Sequence, residues 1–230
     1  MLNTDLSPVE IMFLQSPAKT KITDIFSNIL KDLILRNIIR FVRIYNYPTE
    51  RSRKKQKYFM FEKGENYSGY EPKPFEKSFL SPFEEYEQLQ TKTLTNYVLR
   101  NYSMPSGFIN KRIFMPLHKN GYINSIPVLK SFGFYNITHK GKDVIKEANE
   151  FIAEQEQKLS SFGKDLKEEF VDVLNETGTF TFKFKKTNPE LYSKIVSDIK
   201  RIYINRPFGT DKDLTNFMQA INVDLNYFKE

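Results

Sequence analysis

The chain of 230 residues has no cysteine, no tryptophan and only two histidines. The lack of cysteine excludes disulfides, thiolate catalysis and zinc sites that need cysteine ligands. His118 and His139 have no histidine three or four residues further along, and Asp143 is the single carboxylate at such a spacing. One histidine beside one carboxylate is a poor metal site. We therefore expect two turn or surface histidines and no metal or other cofactor.

Glycine is also scarce, and the nine glycines are scattered singly. The chain therefore has no glycine-rich loop of the GxGxxG or GxxxxGK[ST] type that cradles phosphates, and no GxSxG nucleophile motif. The adjacent acids Glu84 and Glu85, like Glu168 and Glu169, fall where helices are predicted to begin, and the helix dipole favours negative charge there. No pattern indicates a reaction or a small-molecule substrate, so we expect a protein that is not an enzyme.

Long apolar runs are missing as well, since none approaches the ~18 residues that cross a bilayer. The opening residues lack the basic and apolar regions of a signal peptide, so we expect a cytoplasmic protein. Aromatic residues make up 15% of the chain, with 21 phenylalanines and 13 tyrosines. This content is typical of a globular protein with a core and not of a disordered chain.

Positive charge is concentrated in one segment. Residues 36–57 contain eight cations and one anion, Glu50, so this segment carries the whole net charge of +7. The cations are Arg36, Arg40, Arg43, Arg51, Arg53, Lys54, Lys55 and Lys57. A local patch of this kind is typical of proteins that bind phosphates. A solvated hairpin tip, whose charges keep a sheet edge from pairing with other chains, has the same composition.

The segment at residues 16–43 organises the N-terminal part of the chain. Its apolar residues recur every three or four positions, which is the period of one helix face. They are Ile22, Ile25, Phe26, Ile29, Leu30, Leu33 and Ile34. At Asn37, a residue that tolerates the left-handed conformation at helix ends, the pattern changes to the β-branched and aromatic run of a strand. Residues 57–62 predict a return strand, so the cations lie on a β-hairpin.

Capping residues predict the helix starts. Ser7, Pro8 and Glu10 form a capping-box pattern for a first helix. Ser16 and Pro17 predict the start of the next helix by the same logic. Residues 64–79, rich in glycine, proline, asparagine and serine, predict a connector.

A second segment repeats part of the first. Residues 80–84 repeat the pattern of residues 6–10, and residues 115–123 can be laid over residues 31–39. Leu33 then pairs with Leu117, Asn37 with Gly121 and Ile39 with Ile123. Asparagine and glycine exchange at left-handed helix ends, so we infer an internal duplication in which the second copy is about ten residues longer.

Three helices are predicted within the second copy. They span residues 82–89, 94–102 and 107–120, the third of them capped by Ser106. Pro116 falls inside the third helix and is predicted to kink or interrupt it.

Residues 135–141, Tyr-Asn-Ile-Thr-His-Lys-Gly, resemble the Tyr-x-Leu-Thr-x-x-Gly segment of winged-helix regulators. The helix, turn and strand around Asn37 similarly resemble a recognition helix followed by a first wing strand. The resemblance covers residues 6–62 and 80–160. It implies that residues near Tyr135 form a second wing strand and that Thr138 caps the following helix. That helix would bury Val144, Ile145, Ala148, Phe151, Ile152, Gln155 and Leu159.

The last third carries no motif. Residues 164–174 predict a helix, and the alternation at residues 179–184 predicts a strand that buries Phe180, Phe182 and Phe184 on one face. Base stacking is the alternative role for those rings. Asn188 and Pro189 start another helix, which would bury Leu191, Ile195, Ile199, Ile202 and Tyr203. A loop follows at residues 205–209, and Thr210 caps the last helix, which carries Leu214, Phe217, Met218 and Ile221. This part packs on the second copy or forms a small α+β module.

The predicted fold class is α+β and mainly helical, with two winged-helix-like units, each with a β-hairpin wing, and a small C-terminal α/β segment. The first unit covers residues 1–63, the connector 64–79, the second unit 80–160 and the C-terminal helix–strand–helix segment 161–230.

Two functions from different classes fit this organisation. The first is a regulator-like protein that binds nucleic acid, with duplex DNA as the expected partner. Its binding residues would be Lys21, Asn28, Lys31, Arg36, Arg51, Arg53, Lys54, Lys55 and Lys57. The second is a non-catalytic scaffold whose basic hairpin contacts an acidic protein or an anionic membrane surface. Asp24 and Asp32 on the polar face of the first predicted recognition helix, and Pro116 in the second, count against the first function.

Overall fold

A computed structural model describes residues 4–47, 51, 53–100, 102, 104–124, 135–163, 168–205 and 212–223. Helix α1 (Pro8–Gln15) begins with the predicted capping box: the Ser7 hydroxyl accepts from the Glu10 N–H at 3.3 Å, and the Glu10 carboxylate accepts from the Ser7 N–H at 2.9 Å. These two bonds satisfy donors that a helix start leaves free.

Helix α2 (Ile22–Leu35) begins later than predicted. Ser16 ends α1, its N–H donating to the carbonyl of Phe13, and residues 17–19 form a turn. The prediction that Ser16 and Pro17 start α2 is therefore wrong. A serine followed by a proline can stand at the start of a helix or directly after the end of one, and the local sequence does not distinguish the two.

The apolar stripe of α2 lies in the core as predicted, since all seven of its residues are buried. Phe26 makes edge-to-face contacts with Phe79 and Phe108, at 4.9 and 5.1 Å between ring centroids. Phe79 lies in the predicted connector and Phe108 in the predicted second unit, so α2 shares one apolar core with later parts of the chain.

Leu33 is completely buried at the centre of this core. We expect Leu33→Ala to lower the free energy of unfolding by about 2–5 kcal/mol, because the lost methyl groups leave a cavity. Urea unfolding followed by circular dichroism measures the change. Leu35→Ala is the matched control: Leu35 lies on the same helix but is half-buried, so its loss should be smaller. An equal loss for both variants would contradict the burial of the stripe.

The ends of α2 and of the helix before Gly121 have the same backbone geometry. Asn37 has φ of 53° and Gly121 has φ of 75°. The Ile38 N–H donates to the Leu33 carbonyl at 2.9 Å, and the Tyr122 N–H donates to the Leu117 carbonyl at 2.9 Å. This is the Schellman motif, which satisfies the last carbonyls of a helix. Asn37 and Gly121, which the predicted overlay pairs, therefore have the same backbone conformation and the same capping hydrogen bonds.

Both positions should respond alike to alanine, whose side chain disfavours the left-handed conformation. We expect Asn37→Ala and Gly121→Ala each to cost about 1–2 kcal/mol in urea unfolding. A Cβ at Gly121 meets no atom within 4 Å, so the cost there is conformational and not a clash. The control variants Asn37→Gly and Gly121→Asn should cost clearly less. A Gly121→Ala variant as stable as the wild type would refute this account.

The strands form a three-stranded antiparallel sheet in the order β1–β2–β3. Strand β1 (Ile39–Asn46) pairs with β2 (Gln56–Lys63), and this is the predicted hairpin. Strand β3 (Gln88–Gln90) comes from the second unit and pairs with β2. The predicted helix at residues 82–89 is wrong. A 3₁₀ helix (Ser81–Glu84) occupies the first half of this segment. Strand β3 begins at its end and pairs with the edge of β2 that β1 leaves free.

Four short helices lie between β2 and residue 119, one before β3 and three after it. They are α3 (Pro74–Leu80), which begins inside the predicted connector, α4 (Thr91–Leu99), α5 (Pro105–Ile109) and α6 (Met115–Lys119). A π-helical turn (Asn110–Phe114) joins α5 to α6. Proline lacks an N–H, and its ring clashes with the carbonyl four residues earlier. The wide turn just before Pro116 relieves that clash, so the predicted irregularity at Pro116 is confirmed.

Strands β4 (Ile123–Asn124) and β5 (Asn136–Ile137) pair antiparallel, and α7 (His139–Ser161) follows. The Thr138 hydroxyl caps α7 by accepting from the Gly141 N–H at 3.1 Å, as predicted. A Cβ at Gly141 would lie 2.2 Å from the Tyr122 carbonyl oxygen, so glycine is required where α7 crosses β4. In the predicted stripe of α7, Ala148, Ile152, Gln155 and Leu159 are buried, whereas Val144, Ile145 and Phe151 are half-buried.

All the elements of the C-terminal third within the described residues are helices. Its elements are α8 (Glu168–Thr177), a 3₁₀ helix (Gly178–Lys183), α9 (Phe184–Thr187), α10 (Pro189–Asn205) and α11 (Lys212–Ile221). The predicted strand at residues 179–184 is wrong. A strand needs a neighbour for its backbone groups, whereas a helical turn satisfies them locally. Phe182 and Phe184 are nevertheless buried, as predicted, and Phe180 is half-buried.

The helices of this third confirm several details. Asn188 caps α10 by accepting from the Leu191 N–H at 3.1 Å. Leu191, Ile195 and Ile199 are buried, and so are Leu214 and Phe217. Residues 164–167, the predicted loop from 206 onward and the predicted cap Thr210 lie outside the described residues, as does the side chain of Tyr203. The third packs on α7 of the second unit and on α2 and β1 of the first.

Candidate nucleic-acid interface

The β1–β2 hairpin changes from buried to exposed along its length. The register pairs Ile39 with Lys63 at the base and Asn46 with Gln56 near the tip. Ile39, Phe41 and Phe61 are buried at the base, where the hairpin joins the core. Beyond them the strands leave the core. The half of the hairpin next to the core is therefore anchored by buried side chains, and the half next to the tip extends from it.

One side of the outer half combines aromatic rings with cations. The register places Arg43, Tyr45, Lys57 and Phe59 on this side. Tyr47 and Lys55, which lie one residue beyond the strand ends and contact each other, continue the alternation. We call these six residues the aromatic face: Arg43, Tyr45, Tyr47, Lys55, Lys57 and Phe59. Its rings are unusually open to solvent, with 59% of Tyr45, 48% of Tyr47 and 38% of Phe59 exposed. The Phe59 ring stacks on Phe41 at 5.3 Å between centroids, with 6° between the ring planes. This stack continues the core outward into the aromatic face.

Cations lie over the rings of this face. The Lys57 ammonium is 4.5 Å from the Phe59 centroid, and the Arg43 guanidinium carbon is 5.7 Å from it. The Lys55 ammonium is 5.5 Å from the Tyr47 centroid. Such contacts hold a cation at a ring face without neutralising its charge. The prediction from charge did not include Tyr45, Tyr47 or Phe59, although the alternation of Arg43, Tyr45 and Tyr47 in the sequence was the available signal.

The structure divides the eight cations of residues 36–57 into two groups. Arg36 and Arg40, near the base, pair with carboxylates. The other six are exposed, and none of them makes an ion pair with another residue that the structure describes. We call these six the hairpin cations: Arg43, Arg51, Arg53, Lys54, Lys55 and Lys57. Glu50, the one anion in the segment, lies outside the described residues.

The predicted binding residues on α2 are placed differently. Lys21 is exposed at the start of the helix, roughly 20 Å along it from β1. The Asn28 amide donates to the Asp24 carbonyl at 2.7 Å and contacts the sulfur of Met12 at 3.4 Å. The Lys31 ammonium lies 4.4 Å from the Phe182 centroid. These three residues do not form one surface with the hairpin cations.

The C-terminal third covers much of the polar face of α2. Lys186 pairs with Asp24 at 3.1 Å, and the Thr179 hydroxyl donates to Asp32 at 2.8 Å. At the end of α2, the Asn216 amide reaches the Leu35 carbonyl at 3.5 Å. A recognition helix must present its polar face to a groove, and here that face is taken up by contacts within the chain.

Arg36 lies in a polar cluster instead of on the hairpin surface. Its guanidinium pairs with Asp32 at 2.6 Å and with Glu76 at 2.5 Å, and it donates to the Tyr70 hydroxyl. Burial lowers the pKa of Arg36, but the charges of Asp32 and Glu76 raise it by more than burial lowers it. The net shift of the Arg36 pKa is therefore upward. Burial raises the pKa of Asp32, and the charge of Arg36 offsets part of that shift. The cluster fastens α2 to α3.

A cleft of about 400 Å³ opens beside this cluster, between α2 and the C-terminal third. Asp32, Arg36, Phe180, Asp213 and Phe217 are among its lining residues. The Asp32 carboxylate is engaged by Arg36 and Thr179. Across the described part of the chain, no three histidine or acidic side chains are grouped so that they could hold a metal ion.

Comparison with protein-family models, with curated proteins and with solved structures finds no match for the chain. None of the described helices is both long and apolar enough to cross a membrane.

Tyr70 makes the polar cluster sensitive to alkaline pH. Burial, together with the hydrogen bond that its hydroxyl donates to Glu76 at 2.6 Å, raises the pKa of Tyr70 from 10.0 to about 12. Above pH 10 the unfolded chain ionises Tyr70 before the folded chain does. This residue's contribution to stability is therefore present below pH 10 and lost as the pH rises toward 12.

We expect the free energy of unfolding to fall across this range in the wild type and to fall less in Tyr70→Phe. Urea titrations between about pH 9 and pH 12 measure the two slopes. Tyr67 and Tyr192 also have raised pKa values through burial, so the comparison with Tyr70→Phe is what isolates Tyr70. Identical slopes would show that the Tyr70 hydroxyl is not held as described.

Proposed function

We propose that the protein binds nucleic acid through the β1–β2 hairpin. The observation that carries this proposal is the set of six hairpin cations, which are exposed and unpaired among the described residues. Since residues 36–57 carry the whole net charge of +7, the positive field is centred on this hairpin. A local field of this kind attracts polyanions and raises their rate of association.

The contacts are to the phosphate backbone and carry little sequence information. Arginine and lysine at a mobile or exposed surface neutralise phosphates, whereas sequence is read by side chains that reach base edges. Asn28 and Lys31, two of the four residues of this helix region predicted to face bases or phosphates, contact Asp24 and Phe182 within the chain. Binding through the hairpin alone is therefore sequence-independent.

A winged-helix architecture is part of this proposal. The order of elements from α3 through β3, α4, α5–α6, β4 and β5 is helix, strand, two helices and two strands, and it supports the resemblance in the second unit. The shared helix ends at Asn37 and Gly121 support a duplication. Strand β3 of the proposed second unit pairs with β2 of the proposed first unit, so in this proposal the two units have a sheet in common.

The alternative is a scaffold that uses the hairpin to contact an acidic protein or an anionic membrane surface. The hairpin cations serve that function equally well on charge alone, because carboxylates and lipid phosphates also attract them. Direct binding to an oligonucleotide separates the two functions.

Removing three hairpin cations tests the proposal. We expect Arg53→Ala, Lys54→Ala and Lys55→Ala together to weaken binding to all duplex sequences alike. The slope of log affinity against log salt should flatten by about two to three units, since each lost phosphate contact removes about 0.9. Fluorescence anisotropy of a labelled duplex between ~50 and ~200 mM salt measures both effects. Stability should hardly change, because exposed charges contribute little to it.

The matched control removes three exposed lysines from helices: Lys142→Ala, Lys185→Ala and Lys200→Ala. It has the same net charge as the hairpin variant but keeps the hairpin cations. Its affinity should stay close to that of the wild type. Equal losses in the two variants would show that total charge and not the hairpin governs binding. A wild type that binds neither duplex nor single strand at ~50 mM salt would refute the proposed function and favour the scaffold.

A further inference from the structure

We propose that the ligand of the hairpin is single-stranded nucleic acid, with bases stacking on Tyr45 and Tyr47 and phosphates held by the hairpin cations. The inference rests on the proposed function and specifies its substrate class. The observation behind this inference is the set of exposed rings on the aromatic face. Contacts with the phosphate backbone of a duplex would involve the cations but not these rings.

The exposed rings are concentrated on the hairpin. Six large apolar side chains are strongly exposed within the described residues: Tyr45, Tyr47, Phe59, Tyr86, Met104 and Met115. Three of the six lie on the aromatic face. Single exposed apolar residues need no explanation, but a group on one surface indicates a binding site.

The spacing of the rings fits separated bases. Tyr45 lies in β1 and Tyr47 one residue beyond its end. Side chains two residues apart on an extended chain are about 6.6–6.8 Å apart, and this is the spacing inferred for the two rings. Bases inside a duplex stack on one another at 3.4 Å, and their faces are closed to side chains. An extended single strand offers its base faces, and stacking on tyrosine is tolerant of sequence.

The cations alternate with the rings, as phosphates alternate with bases. Register places Tyr45 opposite Lys57 and Arg43 opposite Phe59. A strand that lays its bases on the rings therefore brings its phosphates within reach of long, mobile cationic side chains. Binding proteins for single strands combine these same two elements, a positive track and aromatic platforms.

The same alternation disfavours insertion into a membrane. Lys57 and Arg43 lie over the ring of Phe59, so placing that ring in hydrocarbon would carry two charges with it. Desolvating unpaired charges is costly. On the aromatic face each ring has a cation over it or opposite it, with Lys57 opposite Tyr45 and Lys55 near Tyr47.

The test compares two double variants that differ in the rings and not in charge. Tyr45→Leu with Tyr47→Leu removes both rings and keeps apolar bulk. Tyr45→Phe with Tyr47→Phe is the matched control, since it keeps the rings and removes only the hydroxyls. The probes are labelled oligothymidylate and oligouridylate of about 15 nucleotides, near the upper end of known site sizes, and a duplex with the same number of phosphates.

We expect the wild type to bind the strands about tenfold more tightly than the duplex, and the leucine variant to lose about tenfold or more for the strands. The phenylalanine variant should bind as the wild type does. Duplex affinity and the salt slope should be unchanged in both variants, because every hairpin cation is retained. Tight binding of either strand supports the inference.

A tryptophan reporter gives a second readout. Because the chain has no tryptophan, Tyr47→Trp places a single indole on the aromatic face. Its emission should fall on saturation with oligothymidylate, since a base stacks on it, and should not fall with duplex. Unchanged emission at saturation overturns the stacking.

The outcomes separate the inference from the proposed function. Wild type that binds duplex as tightly as strands, or a leucine variant with full strand affinity, overturns the single-strand inference and leaves the proposed function intact. Wild type that binds no oligonucleotide overturns both. Anionic vesicles of phosphatidylserine and phosphatidylcholine form the last arm: sedimentation with vesicles but no binding to strands overturns the inference in favour of a membrane surface.

Discussion

The covering of α2 on both of its faces is the constraint on which the rest of the structure depends. One face of this helix is an apolar stripe, and every residue in it is buried. The other face carries Asp24, Lys31 and Asp32, and it is covered by residues of the C-terminal third. Enclosing charged groups is stabilising only when partners compensate for the lost water. Lys186, Thr179 and Arg36 supply that compensation.

Because α2 is covered on both faces, the proposed binding surface is the hairpin and not the helix. α2 leads through Asn37 directly into β1, so the helix fixes the direction in which β1 leaves the core. Gln219 of α11 adds a second attachment by accepting from the Phe41 N–H at 2.9 Å. A rigid base with an exposed outer half suits a surface that presents rings and cations in a fixed order, because a preorganised site loses less entropy on binding.

Local features of the structure were predictable from the sequence. The capping box at Ser7 and the N-cap at Thr138 depend on residues three positions apart. The left-handed helix ends at Asn37 and Gly121 depend on the conformational freedom of one residue. The apolar stripe of α2 depends on apolar residues that recur every three or four positions. In each case the whole cause lies within a few positions of the effect.

Features that depend on distant partners were not predictable. Phe180, Phe182 and Phe184 alternate as in a strand, yet no neighbouring strand exists for them in the described sheets, and the backbone turns into a 3₁₀ helix. The residues at 82–89 gave no indication that β2 would take β3 as a partner. For the candidate site, charge located the hairpin correctly as an exposed basic surface. It also grouped Arg36 with that surface, because the sequence does not show that Asp32 and Glu76 lie beside Arg36.

The contacts that enclose α2 also set the order in which the chain can fold. Asp32 and Thr179 are 147 positions apart, Phe41 and Gln219 are 178 apart, and Leu35 and Asn216 are 181 apart. Bringing such distant segments together is entropically costly and slow. During synthesis on the ribosome, α2 can pack on α1 early, but its charged side has to wait until residues 179–186 have emerged. The hydrogen bond from Phe41 on β1 has to wait until residue 219 has emerged. The N-terminal half is therefore synthesised well before the residues that complete its contacts.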